Sequence, residues 1–142
     1  MNRSVSLLTG CMLATVWCQE ASLVHEAPLS AANMRNPLEA TERTLRAGAK
    51  LYARECAACH GKNREGGRKV PPLNQAEIYQ SQPGALFWVL RNGSLHTGMP
   101  SFAHLPEPQR WQIITWLRQV DGAAAAEDRA KAEKRKTEGS AK

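Results

Sequence analysis

The chain is poor in almost everything that a large apolar core or a sheet requires. Aromatic residues make up 6% of its 142 positions, no stretch alternates apolar and polar residues with period two, and no segment repeats. The missing alternation argues against half-buried strands, and the missing repeat argues against a solenoid. Nor is there an apolar run of the ~20 residues that a permanent membrane-spanning helix needs. The longest, from Val5 to Trp17, is about 13 residues. Cysteine is scarce as well: there are four, and Cys11 and Cys18 fall within the first twenty positions.

What is present divides the chain into four parts. Residues 1–22 read as a secretory signal peptide, with Arg3 ahead of the apolar run and a polar stretch behind it. The cleavage point is expected between Cys18 and Ala27. Residues 23–40 form an N-terminal extension, 41–121 the folded domain, and 122–142 a charged Ala/Lys/Glu-rich tail. The tail has no large apolar residue and is expected to be disordered. Export places the protein in the periplasm and away from nucleic acid. Leu8-Thr9-Gly10-Cys11 has the layout of a lipoprotein cleavage box, so membrane association is expected only through an uncleaved or lipidated leader. A folded part this short, with so few aromatics, has a thin core that a buried cofactor would complete.

Three helices carry the apolar periodicity. The first opens at Thr41, a good cap, with Glu42 in the first turn and Leu45, Gly48, Ala49, Tyr52 and Cys56 at helical spacing. Gly48 inside that run costs roughly 1 kcal/mol against alanine, which predicts another element crossing closely there. A second helix fits Gln82 to Asn92, with Ser81 as cap, Leu86, Val89 and Leu90 inward, and Gly93 as terminator. The third starts near Glu107 and runs to Val120, with Ile113, Trp116, Leu117 and Val120 in one stripe. The expectation is an all-α fold.

Residues 56–61 read CAACHG. From four cysteines and four histidines, Cys-x-x-Cys-His is expected by chance only about 0.003 times in a chain this long. The pattern is that of covalent haem attachment: on one helical turn, thiols three apart can each meet a vinyl group of the porphyrin, and the adjacent imidazole reaches the iron. Two rival readings are weaker. A zinc site needs two more ligands at matching spacing, and none is paired nearby. A redox dithiol belongs in a strand-helix-strand context, which is missing. A second axial ligand is offered by Met99, in a Gly-Met-Pro loop within NGSLHTGMPSF. Imidazole with thioether is the ligation that raises haem potential for electron transfer.

With GAKLYARECAACHG, VPPL, NGSLHTGMPSF and RWQIITWLRQV together, residues 41–121 resemble the single-haem class I cytochromes c, small bacterial electron carriers. The resemblance implies three main helices around one covalently bound haem c with its iron. It implies thioethers at Cys56 and Cys59, a proximal ligand at His60 and a distal ligand at Met99. Pro71 would offer its carbonyl to the His60 ring, although Pro71-Pro72 stands where the family more often has Gly-Pro, so either proline could serve. Gly48 and Tyr52 would meet Trp116 where the terminal helices cross.

Other residues invite roles. His96 and His104 flank Met99 as rival ligands but read as solvated loop positions, and His25 lies beside the leader. Trp88 is either packing or a hydrogen-bond donor to a haem propionate, and Trp111 is core or haem-edge cover. Residues 33–121 carry 12 basic and 7 acidic side chains. Lys62, Arg64, Arg68 and Lys69 follow the attachment site, either as a solvated face or as a rim that steers an acidic redox partner. No acid-base pair or substrate pocket is legible, so the expected function is not enzymatic. The chain is read as a single-electron carrier between a dehydrogenase or quinol-oxidising complex as donor and an oxidase or reductase as acceptor. Two alternatives are a cytochrome subunit bound permanently to a dehydrogenase, and a haem enzyme or gas sensor with an open iron position.

Overall fold

A computed structural model describes residues 23–120, 122 and 123. The expected signal peptide and all but the start of the expected tail lie outside the described residues. A short 3-10 turn, Leu23–Glu26, leads into α1 (Leu29–Ala32), α2 (Glu42–Glu55), α3 (Ala57–His60), α4 (Ala76–Gln80) and α5 (Pro83–Asn92). The last helix, α6, covers residues 107–120. Among the described residues there is no strand, only the isolated bridges Gly67–Val70 and Ser94–Met99. The architecture is all-α.

Thr41 opens α2 as the sequence predicts: its extended backbone lets the hydroxyl accept the Thr44 N–H at 3.2 Å. Glu42 sits in the positively polarised first turn and pairs with Arg46 one turn on. The buried face of α2 is Gly48, Leu51 and Tyr52, and it meets α6. A Cβ added at Gly48 would lie 2.6 Å from the Trp116 Cβ and 2.9 Å from the Gln112 carbonyl carbon, so the two backbones approach too closely for any side chain. Tyr52 and Trp116 pack with ring centroids 4.8 Å apart beside that contact. Gly48→Val therefore forces the crossing open, at an overpacking cost of about 2–3 kcal/mol. In a thermal melt the midpoint should fall by roughly 10 °C or more; an unchanged melt would show that the helices do not rely on this contact.

On its other side α6 builds the centre of the core, where Trp111, Ile113 and Ile114 are no more than 1% exposed. Trp111 stacks on Phe87 of α5 at 4.3 Å and donates its indole N–H to Glu107 at 3.2 Å. It is a core residue, the first of the two roles considered for it.

Helix α5 starts differently from the sequence expectation. Ser81 closes α4 rather than capping α5: its N–H bonds to the Glu77 carbonyl at 2.9 Å. Gln82 is the capping position, and Pro83 occupies the first helical position, where its missing N–H costs nothing. Helix α4 itself has only five residues and buries Ile78. The extension 23–40 is also structured. Its α1 lies so close to α5 that a Cβ at Gly84 would fall 2.7 Å from the Ala32 carbonyl oxygen and 2.8 Å from that of Met34. Val24 and Leu38 pack on the core, and the Asn36 amide donates to the Thr115 hydroxyl at 2.8 Å, tying the extension to α6.

Candidate functional site

Helix α2 stops at Cys56, which has φ −115° and ψ −34° and serves at once as the end of α2 and the start of α3. Its N–H still bonds to the Tyr52 carbonyl at 2.8 Å, while its own carbonyl accepts from Cys59 at 3.2 Å and His60 at 2.9 Å. The three chemical side chains of CAACH are thereby gathered on one turn. Cys56 is buried, at 6% exposure, and belongs to the apolar cluster; Cys59 is exposed and His60 half-buried. Both thiols are unpaired.

Burial pushes the Cys56 thiol up to about 12, with the charges of Glu55 and then Cys59 adding to the effect. At neutral pH a free Cys56 is therefore a protonated thiol and by itself a poor nucleophile. Among the described residues no three His, Cys, Asp or Glu side chains gather to hold a metal ion, so none of them adds a zinc ligand beside the CAACH turn.

Beyond His60 the chain turns at Gly61, and its carbonyl accepts from the Tyr52 hydroxyl at 2.7 Å. Gly66 returns an N–H to the His60 carbonyl at 2.8 Å. This loop brings the Pro71 carbonyl 3.0 Å from His60 Nδ1. A carbonyl only accepts, so Nδ1 carries the hydrogen and Nε2 keeps its lone pair for a metal. Of the two prolines that the sequence leaves in competition, it is Pro71 that meets the ring.

Met99 sits in a loop pinned at both ends to α5. Gly93 ends the helix at φ 66°, and Ser94 N–H bonds to the Met99 carbonyl at 2.8 Å. Past Met99, Ser101 Oγ donates to the Arg91 carbonyl at 2.6 Å and Phe102 N–H to that of Leu90 at 2.9 Å. Met99 is half-buried and packs on the cluster that includes Cys56, as do Ala57 and Leu73. His96 and His104 are both exposed. Trp88 is half-buried on α5.

Sequence reasoning passed over Arg110. It is 8% exposed, its guanidinium lies 4.8 Å from the Phe87 ring centre, and it donates to the carbonyls of Phe102, Ala103 and Leu105. It thereby holds the segment that leaves Met99. A lone arginine in an amphipathic helix gives no signal of this, because its partners are backbone carbonyls.

The residues fit a covalently held haem. Two thiols on one turn can form thioethers, the imidazole tautomer presents Nε2, and a thioether side chain borders the same apolar cluster. Fold and site together define a single-haem cytochrome c of class I type, an all-α domain that carries covalently bound haem c and its iron and serves as an electron carrier. Residues 43–117 match the family described as Cytochrome C oxidase, cbb3-type, subunit III, and the chain belongs to that family. No curated protein matches the chain. Cytochrome c domains typically work outside the cytoplasm, and none of the described helices is long and apolar enough to cross a membrane.

Proposed function

We propose that the chain is a periplasmic single-electron carrier in which Cys56 and Cys59 bond the haem and His60 and Met99 are its axial ligands. The haem, when bound, supplies reversible one-electron exchange at iron. The chain's own residues set the conditions. The Pro71 carbonyl holds the His60 ring in one tautomer and makes it a stronger donor. The pinned 93–102 loop presents the Met99 thioether, and the cluster around Cys56 excludes water from one side. The observation that carries this reading is the 3.0 Å contact between His60 Nδ1 and the Pro71 oxygen, which leaves Nε2 available for iron.

Lys62, Arg68 and Lys69 are exposed just after the attachment turn, a basic group suited to an acidic docking face on a donor or acceptor protein. Donors of the dehydrogenase or quinol-oxidising type and acceptors of the oxidase or reductase type fit a carrier of this kind. The family description names an oxidase subunit, which favours a second reading in which the domain stays bound within a larger redox complex. Purification from the native membrane and soluble fractions separates the two: a free carrier elutes alone, and a subunit elutes with its complex.

Optical spectra of the purified full-length chain, oxidised and reduced, test the central claim. Sharp reduced bands, colour that survives denaturing electrophoresis, and a weak band near the red end of the oxidised spectrum are expected. A colourless product from a host able to attach haem would overturn the proposal.

A further inference from the structure

We infer that Arg64 is a positioning residue for His60: it fixes the carbonyl that the proximal imidazole bonds to, and through it the reduction potential. The inference rests on His60 being a haem ligand, and it concerns how that ligand is held.

The acceptor for His60 lies in a segment with few means of holding itself in place. Pro71 and Pro72 have no N–H, so between Val70 and Leu73 the backbone has no donor of its own. Before the prolines the segment is fixed by the Gly67–Val70 bridge, with bonds of 2.8 and 3.2 Å. After them the first available donor is Leu73 N–H, and it goes to the Arg64 carbonyl at 2.8 Å. The Pro71 oxygen is held between these two points, 3.0 Å from His60 Nδ1.

Arg64, whose carbonyl accepts from Leu73, has φ 62°, the one non-glycine residue with positive φ among those described. Asparagine or glycine would take that conformation more readily. Arginine brings something they lack: its guanidinium lies over the Trp116 ring, 5.2 Å from the centroid. A cation over an indole face is an attractive contact. Trp116 in turn packs on Tyr52, and the Tyr52 hydroxyl holds the Gly61 carbonyl next to His60. The side chain of Arg64 thus anchors the loop to the crossing of α2 and α6, and its backbone anchors the acceptor. Strain of this kind persists where surrounding contacts over-determine it.

Releasing the anchor lets the Pro71 carbonyl drift, weakens the bond to Nδ1–H and makes His60 a poorer donor to iron. A poorer donor favours the reduced state. Loss of a positive charge acts in the opposite direction, since it favours the oxidised state, so the sign of the shift separates positioning from simple electrostatics.

The test uses the full-length haem-loaded protein with Arg64→Ala, Arg64→Gly, Arg64→Lys and, as a charge control on the same loop, Arg68→Ala. In Arg64→Ala the reduced-to-oxidised ratio at fixed ambient potential should rise about threefold, or ~28 mV at ~59 mV per tenfold for one electron. The Leu73 amide should exchange its hydrogen at least about tenfold faster, because an opened hydrogen bond loses its protection. Arg64→Lys should recover most of both effects, and Arg68→Ala should produce neither. Arg64→Gly suits the positive φ and keeps the chain folded if alanine does not; it should shift in the same direction as alanine. An unchanged or lowered potential in the alanine and glycine variants, with Leu73 as protected as in wild type, overturns the inference even if the melting temperature falls. A wild type that takes up no haem overturns the ligand reading itself, and haem content reports that before any potential is measured.

Discussion

Cys56→Ala combined with Cys59→Ala should leave almost no folded protein in the exported fraction. The reason lies in how the core is shared. Cys56 is part of the main apolar cluster, and Ala57, Leu73 and Met99 border it only half-buried. If haem covers on the order of 200 Å² of apolar protein surface, its burial at ~25 cal/mol/Å² is worth about 5 kcal/mol. That is as large as the whole net stability of many small domains, about 5–15 kcal/mol. Covalent attachment makes this contribution permanent; without the thioethers it depends on a weaker equilibrium. Immunoblotting and haem staining of the exported fraction would measure the outcome. Recovery of a stable haem-free domain would contradict the claim that the cofactor completes the core.

Met99→Ala acts on the iron more than on the fold. The loop is closed through the Met99 carbonyl, which accepts from Ser94, and through Ser101 and Phe102 beyond it. Shortening the side chain leaves those backbone contacts intact. The thioether-to-iron absorption near the red end of the oxidised spectrum should vanish. The potential should fall by on the order of 100 mV, a modest part of the ~0.8 V that axial ligands span. Potentiometric titration followed by absorbance reads both effects. Retention of the band in the variant, or its absence from the wild type, would remove Met99 from the ligand set.

The long helices were legible because length gives periodicity a chance to show. Thr41 capping Glu42–Glu55 and the apolar stripe of residues 107–120 are each several turns of consistent signal. Gly48 was legible for a different reason: a glycine in a helix interior is costly enough to imply a neighbour, and α6 is that neighbour. Short elements were not legible. Helix α4 has five residues and α1 four, too few for a period to repeat, so the packing of the extension on α5 went unseen. Ser81 looked like a cap from composition alone, but two helices compete for it and Pro83 decides the outcome.

At the site, the grouping of Cys56, Cys59 and His60 is local and could be read directly. The choice between Pro71 and Pro72 was not local, since it depends on how Gly66, Val70 and Leu73 fold the intervening loop. The contacts of Arg64 and Arg110 were hidden because the partners are aromatic faces far along the chain, Trp116 and Phe87, and, for Arg110, backbone carbonyls of the preceding loop, none of which leaves a spacing pattern.

The seat that Gly48 provides for Gln112 and Trp116 bears on the order of events during biosynthesis. Cys56 belongs to the apolar cluster that α6 helps to build, so a chain in which α6 has not yet docked at that seat leaves exposed a thiol that the finished domain buries. Cys59 stays exposed in either state. Bonding of the inner sulfur to haem is therefore expected to precede the closing of the two helices.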